Sequence, residues 1–368
     1  MLLAWAIVGF EPRESAAVSE IDKGAAGSER TMNRPETMRL VLLFTVALLG
    51  GATSVFAQTA TRSSSWVPPR TVDGQPDLQG TWNNTTITPF ERRAGQPEFL
   101  TEEEAAAVQR AAVERRTRAN AASQPRTEPL PAGGSTGSVN QFWFGPRYQV
   151  VGSRRTSLVI DPPDGRVPLR ASAEARRDFL VEHRADAIEN MSVYSRCITR
   201  GVPGTMFPQA YNNGYQILQI PGFVVIRAEM MHVRIIPLDG TPHASTKIDG
   251  WMGDSRGRWE GDTLVVETTN FDAKGWISSN ASAGRMHAVP QSDALRVVER
   301  FRRIDSDTIN WQATIEDPEF YTAPWTVEVT FRRRPDYIIF EYACHEGNHA
   351  IEGVMGGQRA VERRGTTR

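Results

Sequence analysis

Alternation of apolar and polar residues through the second half of the chain is the feature that most constrains its fold. From residue 148 onward, short runs with a two-residue period follow one another, separated by residues that favour turns. This period is typical of β-strands with one buried face. The runs predict strands at 157–161, 215–220, 223–229, 231–237, 258–259, 263–269, 295–304, 308–316, 325–333 and 337–345.

The turns between these runs predict how the strands pair. Short polar or glycine-containing segments at 221–222, 239–240, 260–262, 305–307 and 335–336 each reverse the chain within a few residues. Such reversals favour antiparallel neighbours and leave no room for helical crossovers. A meander of this size protects its edges by curling or closing. The predicted fold class is therefore all-β: an antiparallel lipocalin-like barrel or strongly curled meander sheet with one or two peripheral helices.

Two peripheral helices are predicted in the first half of the chain, near 101–122 and 172–188. Thr101 and Glu104 have the spacing of a capping box, and strong helix formers follow them. We expect a single barrel-like domain over 76–355. An extended lead-in over 58–75 precedes it and a tail over 356–368 follows it.

An apolar run behind Arg39 predicts export. Residues 38–57 have a basic start, a short apolar stretch and small residues before Ala57, the pattern of a secretory signal peptide. The preceding 1–37 are interpreted as a mis-annotated upstream extension. The alternative is a single N-terminal membrane anchor. The expected location of the mature protein is periplasmic or secreted.

Charge argues against polyanionic partners. The chain has 42 basic and 43 acidic residues, for a net charge of −1, and removal of the leader leaves it close to neutral. Nucleic acids and anionic membranes are bound by clustered positive charge. We therefore expect no nucleic-acid partner, and no membrane association after signal cleavage.

The two cysteines have a simple interpretation in an exported protein. Cys197 and Cys344 are the only cysteines, so an oxidising compartment allows one intramolecular disulfide. Two buried free thiols are the alternative.

Several strings resemble a large family of exported acidobacterial and proteobacterial proteins with lipocalin-like features. The similarity spans 76–355, and the resemblance implies export and a β-rich fold. The strings are PDLQGTW at 76–82, YNNGYQI at 211–217, EMMH at 229–232, RIIPLDG at 234–240, GRWEGDTLVV at 257–266 and EYACHEGN at 341–348.

Three motifs that suggest familiar chemistry lack the required context. HExxH at 345–349 follows a predicted strand and contains glycine, whereas zinc proteases place both histidines on a helix. GxSxG occurs at 253–257, where a hairpin follows it, and at 133–137, where it lies in a loop. A serine hydrolase needs this motif between a strand and a helix. Cys344 and His345 could end a c-type haem attachment motif, but that motif requires a second cysteine at position 341, which is Glu341. We expect neither a metal site nor a cofactor.

Charged residues on predicted barrel strands are the strongest indication of a site. Alternation through 223–236 places His232 and Arg234 on one face of the predicted strands and Arg227 and Glu229 on the other. Each face also carries aliphatic residues. Either face, if interior, buries charge among aliphatic side chains. The alternatives are a salt bridge at the barrel rim, in which a neighbouring carboxylate satisfies Arg234, and a binding pocket that contains an acid–base group.

Under the second alternative we assign catalytic roles. His232 is the expected general acid or base, and Arg234 would hold an oxyanion or a carboxylate. Tyr215 would donate a proton, Glu229 would orient a partner, and Asp254 would assist from a loop. Further expected substrate-binding residues, from turns and aromatic positions, are Tyr211, Asn213, Trp259, His287 and His345.

These expectations favour an exported enzyme that performs cofactor-independent acid–base chemistry in the barrel cavity. The expected reaction is of the lyase, isomerase, hydratase or hydrolase type. Abundant tryptophan suits a cyclic or aromatic small molecule. A periplasmic carrier or sensor and an envelope structural protein are the alternatives.

Overall fold

A computed structural model describes residues 66–121, 128, 149–279 and 281–365. The predicted signal peptide at 38–57 and the segment 1–37 lie outside the described residues. The strands are β1 Gly80–Asn83, β2 Val159–Asp161, β3 Gly214–Ile220, β4 Phe223–Ala228, β5 Val233–Pro237, β6 Asp254–Glu260, β7 Thr263–Thr269, β8 Arg296–Asp305, β9 Thr308–Glu316 and β10 Trp325–Arg333. The α-helices are α1 Glu102–Ala119, α2 Ala171–Glu182 and α3 Ala350–Arg363, and short 3-10 turns occur at Ile188–Asn190, Gly204–Met206 and Ala281–Met286.

The strands form one antiparallel sheet that curls into a nearly closed barrel, as the sequence predicts. Their order is β5-β4-β3-β1-β10-β9-β8-β7-β6, and β2 pairs with β10 beside this path. Most neighbours in the sheet are also neighbours in sequence, because tight turns join them. In the described residues, no helix is both long and apolar enough to cross a membrane.

Side chains bridge the seam between the edge strands β5 and β6. The path contains nine strands of alternating direction, so its first and last members run the same way. Arg234 on β5 reaches Ser255 on β6 at 3.2 Å. Two residues further along both strands, Ile236 packs against Gly257, so closely that a Cβ there would lie 2.8 Å from its Cγ2. The seam is therefore in parallel register.

Aromatic side chains fill the barrel interior. Trp82, Trp311, Trp325, Phe207 and Phe331 are all buried, with 1% exposure or less. Burial along β9 and β10 alternates residue by residue. The interior that was predicted to hold a cavity is thus a packed core along these strands.

The predicted elements differ from the structure mainly near the C-terminus. Strands β7, β9 and β10 have the predicted bounds. The strand predicted at 337–345 is wrong, because both sides of β10 are already paired, with β9 on one side and β1 and β2 on the other. The segment is non-strand and turn.

The helices also depart from prediction at one end each. α1 begins after Thr101 with the predicted capping box, whose two hydrogen bonds to Glu104 are both present. α2 ends at Glu182 instead of continuing to residue 188. The tail predicted at 356–368 is the second half of α3 through Arg363, which the glycines in that segment disguise.

Candidate functional site

Three tyrosines meet outside the start of β3 and the end of β4, at one end of the barrel. The Tyr194 hydroxyl lies 2.7 Å from the Tyr342 hydroxyl and 3.2 Å from the Tyr211 hydroxyl. The phenols come from the segment after α2, the loop before β3 and the segment after β10, so only the folded chain assembles them. Each tyrosine is half-buried, which leaves the cluster accessible.

A buried guanidinium lies against this cluster. The Cζ atom of Arg200 is 3.9 Å from the centre of the Tyr194 ring, a cation–π contact, and the residue is only 5% exposed. Its Nε has no hydrogen-bond partner among the described residues. A positive charge held in this position favours negative charge on the adjoining phenol.

The three phenols do not ionise alike. Burial alone would raise the pKa of Tyr194, but hydrogen bonds with Tyr211 and Tyr342 and the charge of Arg200 outweigh it, and the net pKa is lowered. Burial and then Tyr194 raise the pKa of Tyr211 to about 12. The same causes raise the pKa of Tyr342. The three hydrogen-bonded phenols therefore ionise as a coupled group, in which the lowered pKa is that of Tyr194, the phenol next to Arg200.

A second hydrogen-bonded group flanks the cluster at Glu229. Its carboxylate accepts from the Tyr337 hydroxyl and, at 2.8 Å, from the backbone N–H of Gly214. Burial and the Glu229 charge raise the pKa of Tyr337. A Cβ at Gly214 would lie 2.8 Å from the Glu229 carboxylate, so this contact requires glycine. Glu229 thus holds the segment after β10 against the start of β3.

His232 lies beneath the cluster with structural partners. Its Nε2 accepts the backbone N–H of Arg200 at 3.0 Å and lies 3.1 Å from the Thr199 hydroxyl. Burial, then the charges of Arg200 and Arg234, lower its pKa to about 4. The imidazole is therefore neutral near pH 7. These contacts favour positioning of Arg200 over the general-base role assigned from sequence.

Left-handed backbone conformations occur in the segments that build the site. Cys197, Asn212 and Met231 are non-glycine residues with φ of 56°, 54° and 64°. Such conformations are costly for residues with a Cβ, and they concentrate at functional sites. All three residues adjoin the segments that supply Tyr194, Tyr211 and Glu229.

The predicted disulfide is confirmed and fastens the site together. Cys197 and Cys344 are bonded, with Cα atoms 5.6 Å apart. Asn348 reinforces the link, because its Nδ2 donates to the Ser195 carbonyl oxygen at 3.0 Å. The bond ties the segment of Tyr342 to the segment of Tyr194. Three of the strings that carry the family resemblance, at 211–217, 229–232 and 341–348, contribute residues here.

Tyr215 and Asn213, two predicted site residues near the cluster, form hydrogen bonds to the backbone. Tyr215 is 1% exposed, and its hydroxyl donates to the Thr205 carbonyl oxygen at 2.7 Å. Burial raises its pKa, so it is poorly placed to give up a proton. Asn213 bonds through its side chain to both backbone groups of Gln209 and thereby closes a turn.

Arg234 lies inside the barrel and forms its salt bridge there, not at the barrel rim as expected. Its guanidinium donates to both carboxylate oxygens of Glu299, at 3.0 and 2.6 Å. Glu299 is fully buried and also accepts from the Trp311 indole at 3.1 Å. The carboxylate occupies the position in which we expected a substrate oxyanion.

Asp254 and His345 are two predicted site residues that do not belong to the tyrosine cluster. Asp254 is the first residue of β6, not part of a loop as expected; it accepts from the Ala244 N–H at 2.8 Å and pairs with Arg256 at 2.8 Å. His345 is exposed in a turn directly after the disulfide. The HExxH string therefore does not lie within a helix. No group of three or more His, Cys, Asp or Glu in the described residues is arranged to hold a metal ion.

Trp259 and His287 line two separate pockets. Trp259 borders a 540 Å³ cleft at the opposite end of the barrel, with Phe223 and Gln219. Its indole Nε1 is buried without a hydrogen-bond partner in the described part of the chain. His287 borders a 320 Å³ pocket beside α2 and contacts the edge of Trp276. The ten predicted site residues therefore do not form one site.

Sequence reasoning missed Tyr194, Arg200 and Tyr342. Tyr194 and Arg200 lie in an irregular segment where no periodicity indicates burial or direction. Tyr194 lies three residues before Cys197 and Arg200 three residues after it. This was a usable signal, because a disulfide brings the segments that flank its two cysteines together. Tyr342 stands two residues before Cys344 in a string that carries the family resemblance.

Comparison of the chain with profiles of known protein families, with curated proteins and with solved structures finds no match in any of the three.

Proposed function

We propose that the protein is an exported enzyme that moves a proton on a small molecule at the tyrosine cluster, without a cofactor. Tyr194 is the proton-transferring residue, and Arg200, Tyr211 and Tyr342 stabilise its phenolate. The observation that carries the proposal is the Tyr194 hydroxyl held by two other hydroxyls beside a buried guanidinium. Phenols with a lowered pKa are suited to acid–base catalysis near neutral pH.

The proposed step is proton abstraction next to a carbonyl group. The Tyr194 phenolate takes the proton as the C–H bond breaks, the C–H electrons form a C=C bond, and the π electrons of the C=O bond move onto oxygen to give an enolate. From a β,γ-unsaturated carbonyl compound the product is a dienolate, and return of the proton to its γ carbon gives an isomerisation. Loss of a leaving group from the β carbon gives a lyase reaction, in which Tyr194 protonates that group. The substrate class we propose is a cyclic or aromatic carbonyl compound.

The roles of Glu229 and His232 in this proposal are positional. Glu229 fixes Tyr337 and the segment that leads to Tyr342, and His232 fixes the backbone of Arg200. A site of this kind depends on rigid placement of its charges before substrate arrives. The disulfide and the barrel end supply that rigidity.

Deuterium exchange tests the proposal without knowledge of the product. Proton NMR in D₂O follows loss of the α-proton signal from a panel of cyclic enones and aryl ketones. We expect exchange of at least one compound above the buffer rate, and Tyr194→Phe to lower that rate by about 10²-fold or more. Tyr321→Phe is the matched control, since it removes a phenol buried elsewhere in the barrel.

Two results count against this function. One is unchanged exchange by folded Tyr194→Phe protein. The other is a panel on which the wild-type protein causes no exchange.

Ligand carriage is a second candidate, favoured by the 540 Å³ cleft at the opposite end of the barrel. Trp259 offers an aromatic surface there. A carrier would bind panel compounds without exchange, and Trp259→Ala would weaken that binding.

A further inference from the structure

A pocket outside the barrel combines apolar walls with a cationic end. Its volume is 320 Å³, and Leu180, Met191 and Trp276 supply apolar walls. Arg184 and His287 line the same pocket, and Val354 of α3 lies at its edge. Leu180, Met191 and Trp276 are all nearly fully buried, so they give the pocket a fixed surface.

Arg184 has no carboxylate partner in the described part of the chain, whereas Arg177 and Arg285 do. Arg177 pairs with Asp178, and Arg285 pairs with both Glu91 and Glu174. Arg184 donates only to the Val181 carbonyl oxygen, at 3.2 Å, and forms no salt bridge within the described ranges. A guanidinium in this state is available to a bound anion.

His287 adds a neutral hydrogen-bonding group to the same end. Burial and then the charge of Arg184 lower its pKa, so the ring is uncharged near pH 7. An imidazole in this form donates through one nitrogen and accepts through the other. Its ring also meets Trp276 edge-on, with ring centres 6.1 Å apart. The two residues thus join the polar end to the aromatic wall.

We infer that this pocket binds an aromatic monocarboxylate. The ring system lies against Trp276, Leu180 and Met191, and the carboxylate is held by Arg184 with a hydrogen bond from His287. Fused-ring carboxylates fit a volume of this size, and buried apolar walls with a few placed polar groups are typical of small-molecule sites. None of the pocket residues belongs to the tyrosine cluster, so the inference does not depend on the proposed reaction.

Paired probes test the charge requirement. We would measure binding of 2-naphthoate and of 2-naphthamide to the full protein by titration calorimetry. The two probes share one ring system and differ in charge. We expect the carboxylate to bind at least tenfold more tightly than the amide, and Arg184→Gln to remove this preference. Arg115→Gln, the same charge change on the exposed face of α1, should leave it intact.

A filled pocket tests the location. Val354→Trp places a large ring at the pocket edge and should weaken binding of both probes at least tenfold. Val361→Trp, at an equally exposed position on the same helix that does not line the pocket, should not. Equal affinity for the two probes overturns the inference. So does carboxylate binding that survives both Arg184→Gln and Val354→Trp.

Discussion

At the scale of residues, the buried pair of Arg234 and Glu299 shows why a charged strand need not mark a catalytic site. Two hydrogen bonds join the pair, and Trp311, Ser255 and Thr268 surround it with further polar atoms. Both side chains are at least 95% buried. Breaking such a pair leaves a buried charge uncompensated, whereas replacing both partners removes the charge altogether.

Glu299→Gln should therefore lower the free energy of unfolding by about 3–5 kcal/mol. The double variant Arg234→Met with Glu299→Leu should lie much closer to the wild type. Urea denaturation of the wild type, Arg234→Met, Glu299→Leu and the double variant gives the coupling, with Glu299→Gln measured beside them. A double variant at least as unstable as Glu299→Gln would show that the pair is not an isolated buried ion pair.

The lowered pKa of His232 predicts that the fold loses stability in acid. Its folded pKa of about 4 lies below the ordinary value of 6.5, so between these pH values the unfolded chain takes up a proton that the folded chain does not. Acid therefore favours unfolding, by up to roughly 3 kcal/mol between pH 7 and pH 4. Above pH 7 this contribution is complete and constant.

The comparison variant is His232→Gln, which keeps a hydrogen-bond acceptor and cannot titrate. Its unfolding free energy should fall less steeply than that of the wild type over the same pH range. Parallel pH profiles for the two proteins would mean that His232 titrates alike in the folded and unfolded states.

At the scale of elements, the seam between β5 and β6 depends on a glycine. A Cβ at Gly257 would lie 2.7 Å from Leu238 Cδ2 and 2.8 Å from Ile236 Cγ2. Gly257→Ala should destabilise the fold by about 1–3 kcal/mol, because overpacking forces the edge strands apart.

Gly353→Ala in α3 should have the opposite sign, since no atom lies within 4 Å of its added Cβ and alanine favours helix. Thermal unfolding of the two variants measures both effects. A neutral Gly257→Ala would mean that the seam is loosely packed.

The disulfide belongs to the same scale, because it joins two segments 147 residues apart in sequence. A loop of that length confines the unfolded chain and contributes about 5 kcal/mol in the chain-entropy treatment. Replacement of both cysteines by alanine should lower the denaturation midpoint strongly. Equal midpoints for this variant and the oxidised wild type would remove the disulfide from the stability of the fold.

The elements that sequence reasoning found are those with strong local signals. β7, β9 and β10 alternate cleanly and end in tight turns, so their bounds follow from the residues themselves. The segment 337–345 also alternates, but Ile338 and Phe340 are more than 70% exposed, because neighbouring strands had already occupied the sheet positions beside β10. Local pattern cannot reveal such competition for position.

The candidate site was only partly predictable for a related reason. Tyr211 and Glu229 stood out because polar residues beside strands are informative. Tyr194 contacts Tyr342, which is 148 residues away in sequence. Both residues lie in irregular segments, and residue periodicity does not predict contacts between such segments. The predicted disulfide was the one long-range constraint that pointed there.

At the scale of the whole molecule, the barrel is a packed scaffold with different chemistry at its two ends. One end has the tyrosine cluster, the disulfide and the left-handed residues Cys197, Asn212 and Met231. The other has the cleft beside Trp259, near the turn between β3 and β4. Because large aromatic residues fill the interior, both candidate sites lie at the ends of the barrel and not inside it.

The ionisation of Tyr194 is the most direct test of the acid–base site. Ultraviolet difference titration at the tyrosinate band follows phenol ionisation in the folded protein. We expect one ionisation below the ordinary tyrosine pKa of 10, lost in Tyr194→Phe and retained in Tyr321→Phe. If wild type and Tyr194→Phe instead give the same curve, with every tyrosine ionising at or above pH 10, the cluster does not stabilise a phenolate and the proposed chemistry fails.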